Sequence, residues 1–411
     1  DMLSGYGAIR CVWRKWTPEM PRARVDVVVI GLGVMGAAVT TALARRGVTV
    51  IGLDQYTPPH DRGSSHGQTR LLRTAYVEGD VYIPLVKRAI EGWRSLEAET
   101  GEAFFHQTGI VYLGGPKSTL LDDLDAAATA HHLPVTRLDM NGPYKDNYHH
   151  VPKGFALPQD WRGRLERDAG FVRCEPAVSA FHQVAQRAGA RLVFGQTVNV
   201  EEQPGKSFHI QTTSEDFEAR HIILCVGPWF GQFMVAHFPR LSPIPTVLEQ
   251  RTLHWYGAGP AQTVEAGFNP FCIDLDEGGW LYGFPCLDGR VKVSNHHLGA
   301  RVESPEANPQ ALLAEHQRRM ARWVAQYLPG LGTEQLALTC LYTTSSDTDF
   351  ILGPHPENPR LILATGFSGH GFKFAPVIGD MLADVLVNDT ADIIPAALRP
   401  DRFFRGHEHI C

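Results

Sequence analysis

The segment Val25–Gly36 reads VDVVVIGLGVMG, an apolar run that leads directly into the pattern Gly-x-Gly-x-x-Gly. A strand, a tight glycine turn and a helix in this order form the first unit of dinucleotide-binding folds. We therefore predict a strand over Val25–Ile30, a helix from about Gly36 to Arg46 and a second strand over Val48–Leu53. Together these elements predict a Rossmann-like domain.

The three glycines of this turn have separate roles: Gly31 permits the sharp turn, Gly33 lets the backbone approach a pyrophosphate, and Gly36 lets the helix pack closely. The helix N-terminus attracts phosphate through its unpaired amide hydrogens and its partial positive charge. Asp54, which follows the second strand, is placed to accept hydrogen bonds from an adenosine ribose. A glycine turn without any ligand is the alternative. The predicted phosphate contacts are Gly31, Gly33, Val34, Met35 and Gly36.

The chain has the composition of an ordinary globular protein. Its 411 residues are 44% hydrophobic and 20% charged, which allows two domains with separate cores. The formal net charge of -6 and the lack of a long basic run argue against a nucleic-acid partner, because phosphate neutralisation needs clustered Lys and Arg. No window approaches the roughly 20 apolar residues that span a bilayer, so we expect a cytoplasmic protein with no membrane partner.

The seven cysteines are scattered, without the C-x-x-C spacing of a zinc site or the density of a disulfide scaffold. This pattern predicts a reducing compartment and no metal site. Most free cysteines are small buried hydrophobes. Cys340 stands out because it lies in the segment LTCLYT, residues 338–343, just before the last predicted strand of the dinucleotide domain.

A second glycine loop lies near the end of the chain. The predicted strand Leu361–Ala364 is followed by TGFSGHGFK, residues 365–373, and by an amphipathic helix from about Ala375 to Val387. In a protein that holds a large cofactor, this second helix N-terminus can face the other end of the cofactor. For a flavin that end is the N1/C2 carbonyl edge, which becomes anionic on reduction. A helix-capping loop without a ligand is the alternative.

The middle of the chain alternates between helical and strand patterns. A helix over Pro176–Ala188 and strands over Arg191–Phe194 and His221–Val226 predict further layers of the dinucleotide domain. Residues from about 104 to 163 and from 241 to 342 carry the strand alternation of a β-rich partner domain.

One hairpin of this second domain is clear, because Trp280–Leu287 and Arg290–His296 flank the turn dipeptide Asp-Gly at 288–289. In the returning strand Lys292 shares a face with His296, opposite two valines. A lysine is unusual in a core, so this side chain faces either solvent or a functional site.

Four blocks carry a family resemblance: DQYTPPH at 54–60, GSSHGQTRLLR at 63–73, CLYT at 340–343 and GFSGHGFKF at 366–374. In this order they resemble the monomeric sarcosine oxidase and N-methyltryptophan oxidase family of flavin amine oxidases, from about Val25 to Arg399. The resemblance implies a mixed α/β and α+β flavoprotein of two domains, a Rossmann-like FAD-binding domain and a β-sheet-rich substrate domain. We expect the FAD-binding domain over 24–103, 165–238 and 345–400, the substrate domain over 104–164 and 239–344, an N-terminal extension over 1–23 and a tail over 401–411.

The family implies FAD attached through a cysteine sulfur to the flavin 8-methyl group, and Cys340 matches that cysteine. The sulfur must react as a thiolate, so positive charge is needed nearby. Arg70 and His66 match residues that line the flavin ring. Besides the phosphate contacts, the residues expected to contact FAD are Asp54, Ser64, His66, Thr69, Arg70, Val198, Gly227, Trp229, Cys340, Gly369, Gly371, Phe372 and Lys373.

The same matching assigns catalytic side chains. Arg73 and Lys373 resemble a pair that clamps a substrate carboxylate; the alternative is that they pair with acids elsewhere in the chain. Lys292 matches a lysine over the flavin that promotes reaction with oxygen, because a fixed cation in a dry pocket stabilises the charge that develops on oxygen. The other side chains expected around the flavin or the bound amine are Arg70, Tyr282, His296 and Tyr342.

The reaction implied by the resemblance is oxidation of a secondary, N-methyl amino acid of the sarcosine or N-methyltryptophan type. A hydride equivalent passes from the carbon next to nitrogen to flavin N5, and the imine hydrolyses to formaldehyde and a primary amino acid. Oxygen takes the electrons and leaves as hydrogen peroxide. The expected partners are a small secondary amino acid and O2, and the family name suggests a monomer.

Several departures from the family pattern leave the substrate open. Ser65 and Gln68 replace a His and an Asp, and Gly-Pro-Trp at 227–229 replaces Gly-Ala-Trp. A cyclic or glycated amino acid, as in pipecolate or fructosyl amino acid oxidases, is an alternative substrate. The first motif alone also allows an NAD-dependent dehydrogenase, and the likeness allows a flavin protein that only relays electrons. The aromatic residues at 255, 256 and 271 fit either a roomy pocket or an aromatic core.

Overall fold

The computed structural model describes residues 23–140, 154–203, 207–275, 279–307 and 310–404. The expected N-terminal extension lies outside this range except for Ala23, and the expected tail is described only from 401 to 404. Among the described residues, no helix is both long and apolar enough to cross a bilayer.

Eight strands form the first sheet. They are β1 (Ala23–Ile30), β2 (Val50–Leu53), β9 (Arg191–Val193), β10 (Asn199–Glu202), β11 (Phe208–Gln211), β12 (Asp216–Leu224), β19 (Ile351–His355) and β20 (Asn358–Thr365). Five of them run in the order β9-β2-β1-β12-β20 with every neighbouring pair parallel. This parallel core is the arrangement that the first glycine motif predicts.

Nine strands form the second sheet, namely β5 (Ile110–Gly114), β6 (Val135–Leu138), β7 (Arg162–Glu166), β13 (Thr246–Gly257), β14 (Phe271–Asp274), β15 (Trp280–Gly283), β16 (Arg290–Asn295), β17 (Ala300–Arg301) and β18 (Glu334–Ser345). Their order is β17-β13-β16-β15-β14-β5-β7-β6, and β18 also pairs with β13. The long antiparallel pair of β13 and β18 places Arg251 opposite Cys340. A small third sheet pairs β8 (Gly170–Arg173) with β3 (Thr69–Leu72) and β4 (Phe105–His106).

Seven helices cover these sheets within the described residues. They are α1 (Val34–Arg45), α2 (Tyr82–Thr100), α3 (Thr119–His131), α4 (Cys174–Arg187), α5 (Phe230–His237), α6 (Gln310–Tyr327) and α7 (Ala375–Asn388). Helix α1 is buried over almost its whole length because it packs between α4 and α7. A Cβ at Gly379 would lie 2.7 Å from the Ala38 carbonyl oxygen, so the α1–α7 contact depends on that glycine.

The predicted fold class is confirmed, and the differences are local. Strand β2 begins at Val50 rather than Val48, because the Val48 amide donates to the Leu43 carbonyl and still closes helix α1. The outgoing strand of the predicted hairpin ends at Gly283, because the Cys286 amide donates to the Gln262 carbonyl at 2.7 Å instead of to the returning strand. The hairpin turn itself forms as predicted at Asp-Gly, with both residues at positive φ.

Apart from Ala23 at the start of β1, the strands of the first sheet lie in the segments expected for the FAD-binding domain. Those of the second sheet lie in the segments expected for the substrate domain, except that β7 crosses the expected boundary after residue 164 and β18 ends one residue past the expected boundary after residue 344. The domain boundaries themselves stay a prediction.

Candidate active site

The first glycine turn has the geometry that the motif requires. Gly31 has φ +89°, and a Cβ there would lie 2.4 Å from the Cys225 carbonyl oxygen. A Cβ at Gly36 would lie 1.8 Å from the Gly31 carbonyl oxygen, so the helix can start this close to the turn only with glycine. A Cβ at Gly33 would approach only the side chain of Ser65, at 3.1 Å. Gly33 is therefore the glycine whose open side is available to a ligand.

Asp54 ties the end of β2 to this turn. Its carboxylate accepts hydrogen bonds from the Leu32 amide at 2.7 Å and from the Tyr56 amide at 2.8 Å. Burial raises the pKa of Asp54, and the two amide donors and the nearby His60 oppose that shift. The carboxylate also borders a cavity, which fits its predicted contact with a ribose.

A cavity of about 370 Å³ lies along the glycine turn and extends to residues of β18. Most of the predicted cofactor contacts line it. They are Gly31, Gly33, Val34, Met35, Asp54, Ser64, Arg70, Val198, Gly227, Trp229, Gly369, Gly371 and Phe372, together with Tyr342 from the catalytic set. The other predicted contacts, Gly36, His66, Thr69, Cys340 and Lys373, are buried but do not line this cavity.

One wall of the cavity escaped the sequence analysis. Helix α5 contributes four lining residues, namely Gln232, Phe233, Ala236 and His237. No motif marks this helix. The sequence feature that could have predicted this wall is the position of α5 shortly after β12, because ligands of open parallel sheets lie beyond the carboxyl ends of the strands.

The second glycine loop is held against β18. Gly369 has φ +82°, and a Cβ there would lie 2.2 Å from the Tyr342 ring. The Ser368 amide donates to the Thr343 carbonyl at 3.0 Å. The loop therefore joins the first sheet to the strand that carries Cys340.

Cys340 is buried beside three basic side chains. An Arg70 guanidinium nitrogen lies 3.8 Å from its sulfur, and the His66 imidazole and Lys292 are close by. Burial alone would raise the pKa of the thiol, but His66, Arg70 and Lys292 outweigh it and lower the pKa to about 7. Cys340 is thus substantially a thiolate near neutral pH, the form that reacts as a nucleophile.

Arg70 lies between two thiols. Its Nη1 lies 3.7 Å from the sulfur of Cys174 and its Nη2 lies 3.8 Å from that of Cys340. The same nitrogens donate to the carbonyls of Thr69 at 2.9 Å and Ser64 at 3.0 Å. Burial raises the pKa of Cys174 to about 11, so only one of the two thiols is activated.

Arg73 and Lys373 meet around one carboxylate and one ring. Arg73 forms a buried ion pair with Glu78. Burial alone would raise the pKa of Glu78, but the charge of Arg73 outweighs this effect and the pKa is lowered to about 2. The Arg73 guanidinium carbon and the Lys373 Nζ each lie 5.1 Å from the centroid of the Tyr76 ring. Burial and the charge of Arg73 lower the pKa of Lys373 to about 7. The structure thus pairs Arg73 with an acid of the chain and also brings the predicted pair together.

Lys292 is 3% exposed, so it faces the interior rather than solvent. Its Nζ donates to the carbonyls of Gly67 and Thr69, each at 2.6 Å, and lies 4.3 Å from the centroid of the Phe284 ring. Burial and the nearby Arg70 lower the pKa of Lys292 to about 7.

Aromatic side chains surround this cationic region. The His296 ring stacks on Trp280 at 5.7 Å and lies 5.8 Å from Tyr342. Burial lowers the pKa of His296 well below its ordinary value, so its imidazole is neutral. Tyr282 and Tyr342 both face Arg70, and burial raises the pKa of both phenols.

The other aromatic residues considered from the sequence belong to cores. The side chains at 256 and 271 pack in the core of the second sheet, and the one at 255 packs in a small cluster with Cys340. The Trp255 indole nitrogen donates to Gln68 at 2.7 Å. The aromatic-core interpretation is therefore the correct one.

The site fits a large polar cofactor. Within the described part of the chain, several buried polar atoms have no hydrogen-bond partner, including the hydroxyls of Thr69, Thr343 and Thr365. Thr343 and Thr365 border the cavity, so a ligand with carbonyl and amide groups would satisfy them. Over the same residues no cluster of His, Cys, Asp or Glu could hold a metal ion.

A Rossmann-like sheet, a glycine-turn cavity and a buried group of cations with a reactive thiol define a nucleotide-cofactor oxidoreductase. Residues 26–385 match the family model described as FAD dependent oxidoreductase. The chain is 32% identical to the N-methyl-L-tryptophan oxidase of Escherichia coli, over 92% of this chain and 100% of that protein. It is also 32% identical to the enzyme of that name from Salmonella agona, over 92% and 99%. The chain belongs to the FAD-dependent oxidoreductase family.

Solved structures with the same fold include NikD, described as an unusual amino acid oxidase essential for nikkomycin biosynthesis. Its superposition on this chain has a TM-score of 0.77 at 22% sequence identity and covers 90% of this chain and 95% of NikD. The fructosamine oxidase of Aspergillus fumigatus has a TM-score of 0.72 at 20% identity, covering 92% and 90%. At these identities the likeness concerns the fold alone. The predictions of the family, the fold class and an oxidoreductase are confirmed, and the family favours FAD over the nicotinamide alternative.

Proposed function

We propose that the protein is an oxidase of secondary amino acids, N-methyl amino acids in particular, with FAD bound covalently through Cys340. The observation that carries the proposal is that Arg73 and Lys373 meet at the Tyr76 ring and that Arg73 already holds a carboxylate, that of Glu78. A substrate carboxylate that reaches Arg73 and Lys373 would gain charge-assisted hydrogen bonds, each of which contributes about 1.5–3 kcal/mol.

The covalent link is supported by the state of the thiol. Cys340 is the described cysteine whose pKa is lowered by basic neighbours, whereas burial raises those of Cys174, Cys225 and Cys272. A thiolate is required to form the bond to carbon. The cofactor would be held by the glycine turn, by Asp54 and by the second glycine loop, all of which border the cavity.

Substrate binding requires Arg73 to donate hydrogen bonds to the substrate carboxylate in place of, or in addition to, those to Glu78. A neutral His296 in the same region has an acceptor nitrogen available for the substrate amine. A dry aromatic pocket favours the neutral amine, the form that gives up a hydride equivalent from the adjacent carbon. The chemistry that bound FAD would supply is acceptance of this hydride equivalent and transfer of the electrons to dioxygen. Lys292 then supplies fixed positive charge where negative charge develops on oxygen.

The test is a visible spectrum combined with a substrate panel. The purified protein should be yellow, and hydrogen peroxide should appear with N-methyl amino acids such as N-methyltryptophan or sarcosine. Peroxide with pipecolate or a fructosyl amino acid alone would move the substrate to the alternative class. A yellow protein that releases no peroxide with any of these amines would contradict the oxidase proposal. The free thiols of the described cysteines also favour a reducing compartment such as the cytoplasm.

Arg73→Ala is expected to raise KM for the amino acid substrate by about 10- to 100-fold with little change in flavin content. The reason is the loss of charge-assisted hydrogen bonds to the carboxylate, at about 1.5–3 kcal/mol for each. Steady-state oxygen consumption measures KM, and absorbance of the purified protein measures flavin content.

The single change also leaves Glu78 buried without its cation, which destabilises the fold. The double variant Arg73→Ala/Glu78→Gln removes that charge and serves as the control. It should recover thermal stability but keep the raised KM. A normal KM in both variants would rule out a role for Arg73 in binding the carboxylate.

A further inference from the structure

The turn formed by residues 67–69 has every backbone polar group engaged. Gly67 and Gln68 have φ of +92° and +67°, and their amides donate to one carboxylate oxygen of Glu175, at 2.8 and 3.1 Å. The Gln68 carbonyl accepts from the Cys174 amide at 2.8 Å. The carbonyls of residues 67 and 69 accept from the ammonium of Lys292, as described above. The turn therefore has an anion on its amide side and a cation on its carbonyl side.

One peptide unit of this turn joins the two charges directly. The C=O of the Gly67–Gln68 peptide accepts from Lys292 at 2.6 Å, and the N–H of the same peptide donates to Glu175 at 3.1 Å. Each charge polarises the peptide in the direction that strengthens the hydrogen bond at its other end. No direct ion pair is needed for the carboxylate to stabilise the ammonium.

We propose that Glu175 is a positioning residue that keeps the Lys292 ammonium protonated and in place through the Gly67–Gln68 peptide, and so supports the reaction with dioxygen. The part that concerns dioxygen rests on the proposed function; the coupling between Glu175 and Lys292 does not. Glu175 lies at the start of α4 and does not border the cavity, so it acts only through the turn.

The charge balance at Lys292 makes this carboxylate important. The titratable groups that face the ammonium are Arg70 from β3, Cys174 and Glu175 from α4, and Cys340 from β18. Burial and Arg70 lower the pKa of Lys292, while the carboxylate of Glu175 and the two sulfurs raise it. Of these opposing groups, Cys340 would lose its negative charge on forming a thioether. The Cys174 thiol is uncharged near neutral pH because burial raises its pKa to about 11, so Glu175 is then the remaining anion that favours the charged lysine.

The test compares the isosteric variant Glu175→Gln with Glu175→Asp. Glutamine keeps an oxygen that accepts from both amides but removes the charge, whereas aspartate keeps the charge on a shorter side chain. The titration midpoint of Lys292 is followed by 13C NMR of the lysine ε-carbon in the flavin-loaded protein, with Lys292→Met used to assign the signal. We expect Glu175→Gln to lower the midpoint by about one pH unit, the low end of shifts caused by a nearby charge. Glu175→Asp should stay close to wild type.

Glu97 supplies a matched control. Its carboxylate also accepts from two successive backbone amides, those of Phe104 at 2.7 Å and Phe105 at 2.8 Å, but it is not among the groups that face Lys292. Glu97→Gln should therefore leave the Lys292 midpoint unchanged while losing a comparable structural contact.

The results distinguish an electrostatic effect of Glu175 on Lys292 from a purely structural role of Glu175. An unchanged midpoint in folded Glu175→Gln, or a larger shift in Glu175→Asp than in Glu175→Gln, would overturn the proposal, because Glu175 would then act through shape alone. If Glu175→Gln does not fold, a wild-type midpoint in Glu175→Asp supports the proposal and a shifted one contradicts it. If the midpoint moves as expected but the pH profile of the reaction with O2 does not follow it, the coupling stands and the role of Lys292 in the proposed function fails.

Discussion

Replacing Lys292 with methionine is expected to slow the reaction of the reduced enzyme with O2 by about 100- to 1,000-fold, the typical cost of removing one fixed group that stabilises developing charge. Reduction of the enzyme by substrate should change far less, because the variant keeps Arg73 and Lys373, the two residues proposed to bind the substrate carboxylate, at the Tyr76 ring. Methionine fills a similar volume without charge, so the buried site next to Phe284 stays packed. Stopped-flow spectroscopy measures the two half-reactions separately.

The pH dependence of the same step provides a second readout. Burial and Arg70 lower the pKa of Lys292 to about 7, so the side chain is charged below this pH and neutral above it. The rate with O2 in the wild-type protein should fall as pH rises through about 7. The methionine variant should show no such fall. Lys87→Met, a change at an exposed lysine of α2, is the control and should behave as wild type. An oxygen rate in Lys292→Met equal to wild type would remove this lysine from the mechanism.

Cys340→Ser is expected to abolish covalent attachment completely. After denaturation and precipitation, the wild-type polypeptide should stay yellow, whereas the serine variant should release all its flavin into the supernatant. A serine hydroxyl does not lose its proton near neutral pH, so Arg70 and His66 cannot activate it as they activate the Cys340 thiol. The absorbance of pellet and supernatant measures the bound and released fractions.

Cys174 gives a close control for this experiment. Its sulfur lies as near to Arg70 as that of Cys340, but burial raises its pKa to about 11. Cys174→Ser should therefore keep the colour with the polypeptide. Colour retained by Cys340→Ser, or lost by Cys174→Ser, would assign the attachment to a different residue.

The sequence predicts the parts of the site that depend on local rules. Gly31 and Gly36 could be assigned from spacing, because the turn and the start of α1 leave no room for a Cβ. The parallel core of the first sheet follows from the same motif. The alternation of valine and polar residues predicts that Lys292 lies on the strand face opposite two valines. A two-residue period cannot show which face of a strand is exposed to solvent.

Other parts of the site depend on contacts that local patterns do not contain. The approach of Arg70 to Cys340 joins residues 270 positions apart, through the β13–β18 pair and the second glycine loop. The pairing of Arg73 with Glu78 depends on the fold of the loop between β3 and α2, which no local sequence pattern specifies. Helix α5 was missed because its contribution to the cavity comes from its place after β12 rather than from its own residues.

The position of Cys340 on β18 has a mechanical consequence. The glycine turn belongs to the first sheet, whereas β18 belongs to the second. In the proposed enzyme one cofactor, bound by the turn and covalently attached to this strand, would cross-link the two sheets. Hinge opening between them would then pull on the cofactor itself, so substrate must enter through movements of loops and side chains instead.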